Sequence, residues 1–434
     1  MVTALLAVGL FVAAFVGYNI GGSSTGVAFG PAVGSRIVGK VAAAALFTAF
    51  ALLGGWTVGR NVIDTMSSQI VPASQFTLAT SVGVLFFAGA SLLISNLYGV
   101  PASTSMTSVG AIVGLGVATG TLNQAIMFRI VSAWIVAPLS AFLIGVVIGR
   151  YLYPHLDARF TFTRLESALV TIDRTGRLPR PTVNERATPR DVFGAGLVLA
   201  IACYMGFSAG ASNAANAVAP LVGNGAVSVE QGILLAIGAI GLGGFTIARR
   251  TLATVGDGIT DLPILAALIV SSVGATIITI LSQLGIPASL AVSTTCCIIG
   301  LGWGRASRAV TVAEAASRAS DPDVARIDPD DGPEFSTGAL GAESGDGAPP
   351  GGPTVGTLAG SEADQQADAE RRAEAAEESD AATSEVPPIG EEEFDELAAE
   401  SLFDPAATSR IVFLWVLTPT LSAIGAYLLF ELVL

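Results

Sequence analysis

Charge is scarce in this chain: 13% of its 434 residues are Asp, Glu, Lys or Arg, against about 25% in soluble domains. That shortage, with 52% hydrophobic residues and a mean hydropathy of +0.67, excludes an ordinary soluble globular domain. Histidine occurs once, at His155, in an arginine-rich loop. The three cysteines, Cys203, Cys296 and Cys297, all lie in apolar runs, and the last two are adjacent. Such residues read as small buried hydrophobes, not as a disulfide framework or a metal cluster. Neither a phosphate-cradling GxxxxGK[ST] loop nor a nucleophile with its base is present, so an enzyme is not expected. Lysine is nearly missing too, Lys40 standing alone among 20 arginines.

What is there is apolar sequence. Runs of about 20 nearly uncharged residues, each long enough to cross ~30 Å of hydrocarbon, recur along the chain. They predict spans at 3–20, 38–59, 75–97, 101–119, 126–150, 191–208, 229–248, 262–283, 287–304 and 410–432. The first run has no basic leader and continues into more apolar sequence, so it reads as a retained helix and not a signal peptide. Segments 21–36 and 209–225 are rich in Gly, Ser and Asn and contain Pro31 and Pro220. They predict broken or re-entrant elements.

The net charge of −14 resolves into two regions of opposite sign. Residues 304–408 hold 25 acidic residues against 6 arginines, leaving the remainder mildly basic with 15 Lys/Arg against 10 Asp/Glu. An acidic, lysine-free segment of this kind is common in proteins that work in concentrated salt, which points to a halophilic archaeal source, and it equally suits an acidic linker. With few aromatics it buries too little apolar surface to offset the entropy of ordering, so 305–408 is expected to be a disordered insert. Loop 150–190 carries eight arginines against four acids, and the positive-inside rule makes it cytoplasmic. Counting crossings from it puts the insert inside and both termini outside, in the plasma membrane. The expected organisation is a first membrane repeat (1–150), a basic loop (151–190), the first four spans of a second repeat (191–304), the insert (305–408) and a last helix (409–434).

The repeats are visible in the letters. GSSTGVAFGPAVG (22–34) aligns with ASNAANAVAPLVG (211–223), and GGWTVGR (54–60) with GGFTIAR (243–249), both at an offset of 189. GVPASTSMTSVGAIVGLG (99–116) aligns with GIPASLAVSTTCCIIGLG (285–302) at 186. About five spans per half is an odd number, which inverts the second copy. The predicted fold class is therefore an all-α polytopic membrane protein of two inverted repeats with broken helices, the architecture of secondary transporters.

Broken helices at membrane depth line wet cavities, and their N termini present free N–H groups and partial positive charge to an anion. Ser and Asn add uncharged donors. Ser23, Ser24, Ser103, Thr104, Ser105, Ser212, Asn213 and Asn216 are the candidate substrate ligands, with Ser293 and Thr294 from the second copy. Asn19, Asp257 and Thr295 are candidates for a coupling ion. Close helix packing through small residues is the competing explanation of the same pattern. Asp64, Asp257 and Asp261 could equally lie at span ends in water.

GASNAANAVAPL (210–221) resembles the GANDVANAxGP signature of the inorganic phosphate transporter (PiT) family. ATVGDGITDLP (253–263) is similar to that family's TVGxxITxLxP block, and VPASTS (100–105) to its PVSTTH element. The resemblance covers both halves and leaves out the insert. It implies an inverted-repeat permease that moves inorganic phosphate by alternating access as a symporter with sodium or protons, without a cofactor. Sulfate or another oxyanion, or an uncoupled anion channel, is the alternative. The implied partners are the oxyanion and the lipid bilayer, no nucleic acid, and a homodimer is compatible with it. The chain departs from the signature where the family has Asn-Asp: Ser212-Asn213 in one half and Ser23-Ser24 in the other. Val27 stands where the first copy would have its later Asn, and Met106 where the family has His.

Overall fold

A backbone surrounded by lipid must satisfy its own N–H and C=O groups, and the apolar runs accordingly fold as helices. The computed structural model describes residues 2–97, 103–159, 170–173, 180–183, 189–246, 264–320 and 405–433. The first half contains α1 (Val2–Gly34), α2 (Lys40–Thr57), α3 (Gly59–Asp64), α4 (Leu78–Leu97), α5 (Thr104–Ala118) and α6 (Gln124–Val147). A π turn at Ile148–Leu152 leads into the short α7 (Tyr153–Arg159). Beyond it lies a small antiparallel hairpin, β1 (Val170–Asp173) and β2 (Arg180–Val183), with Val170 opposite Val183. The second half contains α8 (Pro189–Gly223), α9 (Val229–Thr246), α10 (Ile264–Gln283), α11 (Leu290–Ser320) and α12 (Pro405–Val433).

Among the described residues, eight helices are long and apolar enough to cross a membrane. The protein is an all-α polytopic membrane protein. The other two expected spans differ. Helix α5 has 15 residues, about 22 Å at 1.5 Å per residue, and is buried along most of its length. Its counterpart opens α11, which then continues to Ser320 and so makes the first residues of the expected insert helical. Contacts divide the chain into a unit of Met1–Val312 with Leu397–Leu434 and a second unit of Ala313–Glu396. Residues 321–404 lie outside the described residues, as do Arg249, Arg250, Asp257 and Asp261.

The helix breaks are not where the glycines and asparagines predicted them. Both α1 and α8 run unbroken through 21–34 and 209–223. In α1 the hydroxyls turn back onto the helix's own carbonyls, and in α8 a neighbouring helix covers the gap at the proline. Thr25 Oγ1 donates to the Gly21 carbonyl at 2.8 Å and Ser23 Oγ to the Ile20 carbonyl at 3.1 Å. Pro220 has no N–H for the carbonyl of Asn216, four residues before it, and Ser108 Oγ donates to that oxygen instead, at 3.4 Å. The interruptions fall in the later Pro-Ser blocks. Residues 286–289 are non-helical between α10 and α11, and α5 begins only after Ser103.

Small residues let the halves approach backbone to backbone, and they do so reciprocally. A Cβ on Gly21 would strike the Ile240 carbonyl, and one on Gly210 would strike the Ala51 carbonyl. Gly54 meets the Phe207 carbonyl as Gly243 meets that of Tyr18. In each case the partners exchange places under the 189-residue offset. Helices α1 and α9, and likewise α2 and α8, are thus pressed together. Residues 208–221 of α8 are buried without exception, which puts the polar segment at the centre of the bundle.

Candidate functional site

The N termini of α5 and α11 meet at this centre, where Ser105 Oγ donates to the Ala288 carbonyl at 2.9 Å. They close on the polar faces of α1 and α8. Ser23, Ser24, Val27, Thr104, Asn213, Ser289, Leu290 and Ala291 line a narrow cleft of about 20 Å³, room for about one water. No lining residue is ionisable. The polarity of the cleft comes from hydroxyls, one carboxamide and the first turns of two helices, whose exposed N–H groups carry partial positive charge.

A buried network braces one wall. Thr104 Oγ1 donates to Asn213 Oδ1 at 2.7 Å, and Asn213 Nδ2 donates to Ser24 Oγ at 3.3 Å. Asn216 Nδ2 lies 3.1 Å from Asn213 Oδ1, 3.2 Å from Ser105 Oγ and 3.4 Å from Thr104 Oγ1. Helices α1, α5 and α8 are joined through these five side chains. Asn216 Oδ1, Ser103 Oγ and Ser212 Oγ are buried and have no hydrogen-bond partner in the protein. Native interiors leave few such atoms unmatched, and these three belong to residues that flank the cleft lining without being part of it. Ser103, at the N-cap of α5, makes no side-chain cap, which leaves the first N–H groups of that helix without one.

The structure thus brings Ser23, Ser24, Thr104 and Asn213 to the cleft wall, with Ser103, Ser105, Ser212 and Asn216 immediately behind or beside them. It does not bring the second-copy candidates there. Thr294 Oγ1 donates to the carbonyls of Leu290 and Ala291 and packs its methyl against Gly274. Ser293 is buried and Thr295 half-buried, both off the cleft lining. Asn19 is taken up by Asn96 of α4, whose Nδ2 donates to its carbonyl and its Oδ1, both at 3.1 Å. Asp64 is exposed and accepts a hydrogen bond from Gln69. Among the described residues no group of three or more His, Cys, Asp and Glu could hold a metal.

Residue-type reasoning missed the main chain of Ser289, Leu290 and Ala291, and the supports of the connection before them. Arg129 and Trp134 of α6 bond to that connection. A signal for them was present in the letters: RIVSAWIVAP (129–138) returns as RIVFLWVLTP (410–419) in α12.

Uncharged donors around a central cleft are the chemistry that suits a small anion. The sequence model of the phosphate transporter family matches residues 20–319. This chain belongs to the phosphate transporter family. Among its relatives, the sulfate permease CysP of Bacillus subtilis is 32% identical over 293 residues, covering 67% of this chain and 75% of that protein. The inorganic phosphate transporter 2-1, chloroplastic, of Arabidopsis thaliana is 24% identical, covering 69% and 66%. The solved structure of a sodium-dependent phosphate transporter shares the fold with a TM-score of 0.57 at 22% identity, over 72% of this chain and 93% of that one. The family match spans α1 to α11 and so includes every residue that lines the cleft.

Proposed function

We propose that the chain is a secondary active permease that carries a tetrahedral inorganic oxyanion across the cell membrane by alternating access. The observation that carries this is the cleft itself: hydroxyls, an amide and two helix N termini converge, and no fixed charge would hold the anion too tightly to leave. Phosphate, coupled to sodium or protons, is the cargo that the family name supports. Ser23, Ser24, Thr104 and Asn213 are the proposed side-chain ligands. The reciprocal Gly–carbonyl contacts support a pseudo-two-fold relation between the halves, because partners that exchange under one offset are what such an axis produces. An odd number of spans per half makes the second copy inverted, with loop 150–190 and the insert cytoplasmic and both termini outside. Helix α12 completes the second repeat. It lies against α5 as α6 lies against α11, with Gly114 meeting the Ala423 carbonyl and Gly300 that of Phe142.

Sulfate is the second reading, and the lining favours it. Phosphate near neutral pH keeps a proton that needs an acceptor, whereas sulfate only accepts. No carboxylate lines the cleft, and Asn213 Oδ1 is already engaged by Thr104 and Asn216, which leaves hydroxyl oxygens as the side-chain acceptors for that proton. The 32% identity to a protein named as a sulfate permease points the same way. Uptake of radiolabelled phosphate and, separately, sulfate into proteoliposomes under sodium and pH gradients tests both. Accumulation above equilibrium is expected for at least one anion. Equilibration that no cation gradient can drive would mean a channel, and no uptake of either anion would remove the permease reading.

A further inference from the structure

We infer that Arg129 and Trp134 are positioning residues for the cleft, holding the connection 284–289 so that the N terminus of α11 presents Ser289, Leu290 and Ala291 to the anion. This rests on the permease reading.

The connection is irregular backbone, with Gly285 at φ +71°, and of its carbonyls that of Ser289 takes a helical donor, Ser293 N–H at 3.2 Å. Side chains of the first half bond to the Leu284, Pro287 and Ala288 carbonyls and to that of Gln283 just before them. Asn61 Nδ2 donates to the Gln283 carbonyl at 2.9 Å, Arg129 Nη2 to that of Leu284 at 2.7 Å, and Trp134 Nε1 to that of Pro287 at 2.8 Å. Ser105 Oγ then takes the Ala288 carbonyl. Irregular backbone inside a membrane protein is stable only where such partners exist. Pro287 precedes the first lining residue by two positions, so a shift of its carbonyl is passed to the cleft wall over a few ångströms. Arg129 and Trp134 do not line the cleft, and the connection is where both bond to its surroundings.

The sequence repeats the device. Arg410 and Trp415 stand in α12 where Arg129 and Trp134 stand in α6, and two of the four tryptophans of the chain are spent on this one position. Trp415 is 9% exposed, in a helix that rests on α5 in matching register. The duplication assigns Trp415 the equivalent task toward the N terminus of α5. A pair of interfacial anchors would also favour Arg and Trp. Anchors have no reason to aim two donors at carbonyls of a single cleft-forming connection.

The test is concentration-dependent uptake of the better-transported anion by reconstituted Trp134→Phe, Arg129→Met, Arg129→Lys and Trp415→Phe chains, normalised to folded protein. Trp134→Phe keeps an aromatic ring and removes the N–H. Trp134→Phe and Arg129→Met are each expected to raise KM roughly five- to tenfold with maximal rate changed by less than about twofold, the size of a lost hydrogen bond expressed in ground-state binding. Arg129→Lys should recover most of the affinity, since its ammonium can reach the same oxygen, and Trp415→Phe should move KM in the same direction as Trp134→Phe. If KM is unmoved in both Trp134→Phe and Arg129→Met while the parent transports normally, the inference alone falls. It falls equally if those variants lose only folded protein or maximal rate. A parent that moves neither phosphate nor sulfate overturns the permease reading and the inference together.

Discussion

Asn213 works in both senses, accepting from Thr104 and Asn216 through Oδ1 and donating to Ser24 through Nδ2. The two kinds of substitution there separate architecture from electrostatics. Asn213→Leu removes an acceptor for two buried donors, and each unmatched group costs about 1–3 kcal/mol, so both melting temperature in detergent and uptake should fall. Asn213→Asp keeps the acceptor and lets the Ser24 hydroxyl turn to donate to it. The resembled signature has an Asp at this position, so uptake should persist and depend more steeply on sodium or protons, while the melting temperature falls by the cost of a buried carboxylate. Loss of uptake at an unchanged melting temperature would show instead that a fixed charge here repels the anion. Residue type made Ser24, Thr104, Asn213 and Asn216 legible as uncharged donors in a small-residue segment. The same rule does not bring Thr294 to the cleft, nor Asn19, a candidate for the coupling ion, since composition does not say which side of a helix faces the cleft. Thr294 turns back onto its own helix, and Asn19 is held by Asn96. Main-chain ligands such as the N–H groups of Leu290 and Ala291 leave no mark on residue type at all.

Elements were easier to read than their interruptions. Every expected span contains a helix among its described residues, since length and the absence of charge decide that much. Propensity misplaced the breaks because Gly, Ser and Asn count as helix breakers in water, whereas here they stay helical through back-bonding and tight packing. In the described Pro-Ser block, 286–289, the backbone leaves the helix, and Pro287 offers no N–H to continue it. Close approach gives a prediction with an internal control. A Cβ at Gly54 would collide with the Phe207 carbonyl, while one at Gly238 of α9 meets nothing within 4 Å. Gly54→Ala should therefore destabilise by about 1–3 kcal/mol, by overpacking against rigid backbone. Gly238→Ala should be neutral or stabilising by roughly 0.5–1 kcal/mol, the ordinary gain of Ala over Gly inside a helix. Thermal melting in detergent compares them. Equal effects would mean that α2 and α8 are not in contact at Gly54.

At the scale of the whole molecule, everything turns on whether the two halves lie opposite ways up. Hydrogen bonds sort the helix ends into two groups. Arg60 with Glu230, Asn61 with Gln283 and Arg129 with Leu284 gather at one end of the bundle. Arg150 with Ser307 belongs to the other, next to the arginine-rich loop. Gly39 and Ser228 correspond under the 189-residue offset, both precede the second helix of their half, and both are exposed. Inverted halves put Gly39 at the cytoplasmic end and Ser228 at the outer end. In a chain whose three cysteines are replaced by alanine, Ser228→Cys should react with an impermeant maleimide on intact cells. Gly39→Cys should react only after permeabilisation. Neither change is severe: Gly39 has φ −75° and nothing within 4 Å of its Cβ position, and loss of the Ser228 cap costs about 1 kcal/mol. Labelling of both from the same side would mean that the copies are parallel. The two polar segments would then no longer be related by an axis through the cleft, and alternating access by exchange of the halves would have no structural basis.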